Sequence, residues 1–295
     1  MRLGLVVNPS AGKGKASAAA PAIERALRDA GHELVALSGN NYWQALQNAK
    51  TAVAAKAIDG LIAAGGDGMA HLGVNACAGS EVAFGLVPVG TGNDAARALG
   101  MPLESLDAAL THLLDHLHSP RRVDAMRASS STGEFYSFCS VSAGFDALVN
   151  HRANRMRFPK GPSRYQVAML AELANFKPIE YQLLVDGQKR HFRAMLCAVA
   201  NASSYGGGML IAPEAKIDDG LLDLFIVHEI SRPELIKVFP KVYTGEHVSH
   251  PAVELVRARS IHIEAAQMPA FADGEAVGHV PLSVTVEPGA LSVFA

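Results

Sequence analysis

The chain has 295 residues, 49% of them hydrophobic, enough for a large buried core and two domains. Its formal net charge of −2 is too balanced for nucleic-acid binding by bulk electrostatics, so no nucleic-acid partner is expected. No uninterrupted apolar run approaches the ~20 residues of a membrane span, and Leu3 to Val7 ends too soon, at Asn8-Pro9, to be a signal-peptide core; any membrane contact is expected to be peripheral.

The first part of the chain alternates strand and helix. Leu3 to Val7 reads as a strand, Asn8 to Lys15 as a loop, and Ala16 to Ala30 as an alanine-rich helix stopped by Gly31. His32 to Leu37 is a second strand, and Tyr42 to Lys56 a helix with Trp43, Leu46 and Val53 near helical spacing. Ile58 to Ala64 and Val82 to Val89 are short apolar runs that end in glycine, the pattern of buried parallel strands. Leu106 to His118 is a further helix, with Leu106, Leu110, Leu113, Leu114 and Leu117 forming its apolar positions. Together these elements predict a doubly wound α/β unit.

After about Arg122 the texture changes. Short runs at Tyr136 to Val141, Tyr181 to Val185, Phe192 to Val199, Leu222 to Val227, Ile261 to Ala265 and Leu282 to Val286 are separated by polar, Gly or Pro turns. They predict a mostly antiparallel β domain, interrupted by one helix from about Ser163 to Phe176. The expected domains are 1–124 and 125–295, and the last strand is left free to return to the first.

Ala63-Ala64-Gly65-Gly66-Asp67-Gly68 and Gly90-Thr91-Gly92-Asn93-Asp94 are the most informative segments. Each is a glycine-rich turn at the carboxyl end of a strand, where open α/β sheets bind ligands. Glycine lets backbone N–H groups meet an anion directly, and a following helix N-terminus adds about half a positive charge. Bare phosphate would repel Asp67, so its carboxylate suits Mg²⁺, a bound water or an attacking hydroxyl. The structural alternative is a tight turn with Asp67 as a helix N-cap. The Asn8 to Lys15 loop is not a Walker phosphate loop, since neither Lys13 nor Lys15 is followed by Ser or Thr. It can still hold phosphates through backbone N–H groups and Lys13 or Lys15, the alternative being a solvated turn. Cys77, Cys139 and Cys197 are odd in number and far apart, which fits a reduced cytosolic compartment, and the 12 histidines show no metal-site grouping.

Asn8-Pro9-Ser10-Ala11-Gly12, Gly65-Gly66-Asp67-Gly68, Pro88 to Arg97, Gly144-Phe145-Asp146, Asp218 to Asp223 and Asp273-Gly274-Glu275 follow one another in a characteristic order. The chain thereby resembles the diacylglycerol kinase catalytic family over nearly its whole length, and the wording around Asn150 to Met156 is similar to the actinobacterial members. The resemblance implies a nucleotide-binding α/β domain, a C-terminal antiparallel β-sandwich domain and an active site in the cleft between them. It implies ATP contacts from Asn8, Gly12, Gly65, Gly66, Asp67, Gly68, Met69, Ala70, His71, Thr91 and Asn93. Asp67 and Asp94 are implied to organise a catalytic Mg²⁺, and Glu275 to be the general base. A second, structural Mg²⁺ is implied at Asp219 with the carbonyls of Lys216 and Leu221. Without the resemblance, Glu275 reads as an exposed acid after an Asp273-Gly274 hairpin turn.

One departure stands out. Many family members continue the first glycine motif with Thr and then Asn-Glu, where this chain has Met69, His71 and Leu72. The side-chain hydroxyl contact to phosphate is lost, and the backbone cradle has to suffice. The expected function is ATP- and Mg²⁺-dependent phosphorylation of diacylglycerol to phosphatidic acid at the cytoplasmic face of a membrane, with a homodimer left open. Other readings are a kinase of another lipid or a polyprenol, an enzyme like NAD kinase, or a non-catalytic lipid or nucleotide sensor. His151 to Arg164 carries Arg152, Arg155, Arg157, Lys160 and Arg164 without an acid, which suits a gate for lipid entry against anionic headgroups or a solvated basic loop.

Overall fold

The computed structural model describes residues 1–8, 15–156, 158–159, 167–168, 171–172, 177–266 and 268–295. The chain divides into two units: Met1–Ala125 with Ile217–Asp219 and Glu287–Ala295, and Met126–Lys216 with Gly220–Val286.

In the first unit, β1 (Arg2–Val7), β2 (Glu33–Ala36), β3 (Gly60–Gly65) and β4 (Ala83–Pro88) are parallel, in the order β4-β3-β1-β2. Every residue of β3 is buried, as expected of a central parallel strand covered on both faces. The order reverses between β1 and β3, so the loops at their carboxyl ends open at a topological switch point. Five helices join the strands: α1 (Lys15–Asp29), α2 (Tyr42–Ala54), α3 (Asp67–Cys77), α4 (Asp94–Ala98) and α5 (Leu106–His116). Gly31 ends the first as expected, with φ +83° and its N–H on the Arg28 carbonyl. Asn41 caps α2 by accepting from the Gln44 N–H, and Ser105 caps α5 through the Ala108 N–H. Helix α3 lies close on β4 because Gly73 has no side chain; a Cβ there would meet the buried Phe84 ring at 2.0 Å.

Trp43 departs from expectation. It is 71% exposed, while Ala45, Leu46, Ala49 and Val53 supply the buried face of α2. Spacing put Trp43 within reach of the apolar stripe, but at the first turn it points away and packs edge-on against Tyr42.

The second unit is antiparallel. Strand β5 (Arg121–Ser130) enters it at Met126 and pairs with β6 (Gly133–Ser137); β7 (Ser140–Ser142) follows, then α6 (Phe145–Arg155), β8 (Ile179–Val185) and β9 (Gln188–Ala200). The two ends of β9 have different neighbours. Its first half forms a hairpin with β8 and alternates in exposure; its second half lies between β7 and β10 (Leu222–His228) and is buried at every residue. Helix α7 (Arg232–Val238) and the 3₁₀ turns Phe239–Tyr243 and Glu246–Ser249 precede β11 (Val253–Ala258), β12 (Ser260–Ala265), β13 (Pro269–Ala272), β14 (Glu275–His279) and β15 (Leu282–Val293).

The expected strand Tyr136 to Val141 is two strands, β6 and β7, broken at Phe138-Cys139. Strand β15 runs past the expected stop at Val286 and re-enters the first unit at Glu287, where Val293 pairs with Phe84 of β4. Most of the expected helix Ser163 to Phe176, and Arg157, Lys160 and Arg164 of the basic segment, lie outside the described residues. Arg152 pairs with Glu172 at 2.5 Å.

An apolar cavity of about 60 Å³ lies within the second unit, walled by Met195 and Phe225 from the sheet and by Leu235, Val238, Val242 and His247 from the segment after β10. His247 is 2% exposed, hydrogen-bonds the Ile211 carbonyl at 3.3 Å and sits edge-on to Phe225. Burial holds its imidazole below the ordinary value of 6.5, against the opposing Ile211 hydrogen bond. The unfolded chain therefore binds the proton more readily, so this residue's contribution to stability is complete above pH ~6.5 and is lost as pH falls below it. The unfolding midpoint should drop on acidification, and the drop should be smaller in His247→Asn; an unaltered pH slope in the variant contradicts this assignment.

Candidate active site

The ladder brings three strand ends together in the first unit. Val7 is in register with Ala64, the Asn8 N–H reaches the Ala64 carbonyl at 3.3 Å, Gly65 is in register with Pro88, and the Val89 N–H reaches the Gly65 carbonyl at 3.0 Å. Asn8, Gly65 and Val89 thus end adjacent strands, and the two glycine turns lie side by side.

Their contact is backbone on backbone. A Cβ built on Gly90 would lie 2.3 Å from the Gly66 α-carbon and 2.9 Å from its nitrogen. No other residue type fits Gly90 without moving one turn. Asn93, at φ +55°, folds its side chain back over this contact: Nδ2 donates to the Gly90 carbonyl at 3.2 Å, while Oδ1 is buried without a hydrogen-bond partner. A buried acceptor left bare costs about 1–3 kcal/mol, so a donor arriving from a ligand or its water would be well received.

The two acids converge on Gly92. Asp67 Oδ1 accepts the Ala95 N–H at 3.1 Å and so caps α4 across the two turns. Asp67 Oδ2 would be 2.4 Å, and Asp94 Oδ2 3.8 Å, from a Cβ on Gly92. Asp94 is 4% exposed and pairs with Arg97 Nη1 at 2.5 Å, while Arg97 Nη2 donates to the Gly92 carbonyl at 3.3 Å. Two carboxylates beside one Cβ-less position, with one guanidinium next to them, are oxygen donors of the kind a hard cation takes one or two of, filling its shell with phosphate oxygens and water. Among the described residues no group of three or more His, Cys, Asp or Glu gathers to hold a metal, here or elsewhere.

Other expected site residues lie differently. Met69, Ala70 and His71 are buried on α3, and the N–H groups of Met69 and Ala70 already bond the Gly66 carbonyl at 2.9 and 3.1 Å. An anion here would be met by the first-turn N–H groups ahead of them, Gly68 included, and by the helix dipole. Thr91 is exposed on the second turn, and Gly12 lies outside the described residues. Asp219 is exposed and belongs to the first unit, whereas Lys216, also exposed, and Leu221 belong to the second.

Glu275 is exposed at the head of β14, opposite Ala272. Asp273 and Gly274, at φ +50° and +86°, form the two-residue turn of the β13–β14 hairpin. The Asp273 carboxylate accepts the N–H groups of Phe138, Cys139 and Ser140 at 3.0, 2.7 and 3.2 Å, and its own N–H donates to the Ser140 carbonyl at 3.0 Å. That knot breaks the expected Tyr136 to Val141 strand and fixes where Glu275 begins. Sequence reading saw the turn and missed the knot, whose partners are more than a hundred residues away; Arg97 was likewise passed over as the counter-charge of Asp94.

Residues 2–128 match the model of the diacylglycerol kinase catalytic domain, and residues 139–295 match that of the YegS C-terminal NAD kinase beta sandwich-like domain. The chain is 36% identical to a diacylglycerol kinase of Mycobacterium tuberculosis over 291 residues, covering 98% of this chain and 93% of that one. It belongs to the diacylglycerol kinase catalytic family. A diacylglycerol kinase of Bacillus subtilis is 26% identical, with 95% of this chain and 91% of the relative covered. A crystal structure of a Bacillus anthracis diacylglycerol kinase shares the fold, with a TM-score of 0.74 at 21% identity over 99% of this chain and 96% of that one. As a member of this family the protein is a kinase.

Within this family member the Asp273 knot is testable apart from catalysis. Asp273→Ala removes a charged acceptor from three backbone donors and should cost on the order of 2–3 kcal/mol in chemical unfolding. An unchanged unfolding midpoint would show that the knot contributes nothing.

Proposed function

We propose that this kinase is an ATP- and Mg²⁺-dependent lipid kinase that converts diacylglycerol to phosphatidic acid. The observation that carries the reading is the convergence of Asp67 and Asp94 on Gly92 beside two glycine turns in backbone contact. Such a site suits a polyphosphate whose charge needs both N–H donors and a cation. The diacylglycerol acceptor is supported by the names of the relatives, and a lipid acceptor in general by the apolar cavity of the second unit, which has room for the end of an alkyl chain.

In the proposed reaction Glu275 takes the proton of the lipid hydroxyl as its oxygen bonds the γ-phosphorus. The bond from that phosphorus to the β–γ bridging oxygen breaks, and ADP carries away the electron pair. Asp67 and Asp94 would hold Mg²⁺, which when bound neutralises charge on the phosphates. The first-turn N–H groups of α3 orient the phosphate chain, and Asn93 Oδ1 accepts a donor from the nucleotide or from bound water. Asp219, with the carbonyls of Lys216 and Leu221, is the proposed seat of a second, structural Mg²⁺. The proposed setting is the cytoplasmic face of a membrane, met peripherally; no helix among the described residues is long and apolar enough to cross one.

Phosphate transfer from Mg·ATP should be assayed against diacylglycerol, ceramide, sphingosine, undecaprenol and NAD. Diacylglycerol should be the best acceptor. Asp67→Asn keeps an oxygen for the Ala95 N–H yet removes the charge, and should lower kcat by about 10²–10³-fold. Glu275→Gln should lower it by about 10²–10⁴-fold with little effect on unfolding, since the residue is exposed. Full activity in Glu275→Gln would remove it as the base. A better acceptor among the other lipids or NAD would move the substrate, and ATP binding with no turnover on any of them would make the protein a sensor.

A further inference from the structure

Trp43 is the single tryptophan of the chain, and its ring lies edge-on to Tyr42 with centroids 5.3 Å apart. At 71% exposed it adds little to the core, so packing does not account for its place. The fold defines that place. Helix α2 begins at the carboxyl end of β2 and α3 at that of β3, so both run away from the same edge of the parallel sheet, and the two helices pack together. Their first turns, which hold Tyr42-Trp43 and Asp67-Gly68, therefore stand side by side at the edge where the glycine turns lie. Helical spacing also fixes which way Trp43 faces. On one flank of α2, Asn48 Nδ2 donates to the Leu37 and Ser38 carbonyls at 3.3 and 3.4 Å, which sets that flank against the end of β2. Trp43 lies across the buried stripe of Ala45, Leu46, Ala49 and Val53, on the flank toward α3.

The mount is stiff. The Asn40 N–H donates to Gln44 Oε1 and the Gln44 N–H to Asn41 Oδ1, each at 2.9 Å. Ser38 Oγ accepts the Val7 N–H at 2.9 Å and ties the loop to the strand end that leads into Asn8. A Cβ on Gly39 would lie 2.6 Å from the Ala45 nitrogen, so the loop is closed down on the helix that carries the indole. Strand β2 lies two places from β3, about 10 Å at the usual strand spacing. With a polyphosphate on the first turn of α3, a ribose and base directed toward β2 come to the indole. A bare aromatic face at that remove from an anion site suits a flat ring, and every base has a π-face on which to stack.

We propose that Trp43 is the stacking platform for the base of the bound nucleotide. The indole holds the base while the glycine turns and the first turn of α3 hold the phosphates. The inference rests on the nucleotide-dependent kinase reading above and adds to it the residue that grips the far end of the nucleotide. A stack made equally before and during phosphoryl transfer supports affinity and leaves the chemical step alone. It reads the area of the base more than its hydrogen-bonding edge, so the two-ring bases of ATP and GTP gain more from it than those of CTP and UTP.

The test uses the full chain, whose tryptophan emission reports on residue 43 alone. Mg·ATP should change that emission saturably. Mg·tripolyphosphate, which has no base, should bind by calorimetry and leave the emission nearly unchanged. Trp43→Ala should weaken Mg·ATP binding by about tenfold or more and raise KM for ATP in step, with kcat within about twofold of wild type. Trp43→Phe should keep most of the affinity. Mg·tripolyphosphate should bind wild type and Trp43→Ala alike, and their unfolding should match because the side chain is exposed. Mg·ATP binding that leaves the emission unchanged, or wild-type affinity in Trp43→Ala, overturns the stack and leaves the kinase reading intact. An equal loss of Mg·tripolyphosphate affinity in Trp43→Ala would show that the residue shapes the phosphate cradle, and overturns it too. If neither Mg·ATP nor Mg·tripolyphosphate binds wild type, the nucleotide site itself fails and the stack falls with it.

Discussion

The contact between Gly66 and Gly90 is the constraint on which the site depends. Two strands that lie side by side in a parallel sheet end in turns, and the turns can touch only because neither carries a side chain at the point of approach. With the backbones touching, Asp67 of one turn reaches the Ala95 N–H of the other, and its second oxygen comes to rest beside Gly92, where Asp94 also faces. Met69 is buried in the core, and the first turn of α3 presents main-chain N–H groups and the helix dipole.

Aspartate-to-backbone bonds recur through the molecule as long-range fasteners. Asp67 caps α4, Asp124 accepts the Gly289 N–H at 2.8 Å, Asp186 takes the N–H groups of Arg259 and Ser260, and Asp273 gathers those of Phe138 to Ser140. Each joins segments far apart in sequence, and each charged acceptor binds more strongly than a neutral one would. The second oxygen of Asp67 lies beside Gly92, the position Asp94 Oδ2 also faces. Asp67 does not cap the helix it begins, whose N-cap is Gly66 with no side-chain bond; one oxygen caps α4 instead, and the other lies beside Gly92.

What could be read from sequence follows the range of the interactions. Strands β1, β3 and β4 were legible because a buried parallel strand is a local apolar run, and Gly31 because one residue ends a helix. Local pattern failed where distant partners decide. Strands β5, β11 and β13 pair with remote chain, and Tyr136 to Val141 breaks because of Asp273. Strand β15 continues through Pro288 and Gly289, a local stop signal, because its end finds a place beside β4. At the site the glycines and acids were visible as types, but the crowding at Gly92, the bare Asn93 Oδ1 and the Arg97 counter-charge exist only in three dimensions. Glu275 remains the residue about which sequence says most and local geometry least, an exposed acid whose position is set by its neighbour Asp273.

If backbone contact between the two turns makes the proposed phosphate site, calorimetric titration of Mg·ATP into Gly90→Ala will show it. Wild type should bind, and the added methyl, forcing the turns apart, should weaken binding by about tenfold or more, equivalent to about 1.4 kcal/mol. Binding of Mg·ATP to Gly90→Ala with wild-type affinity would contradict it.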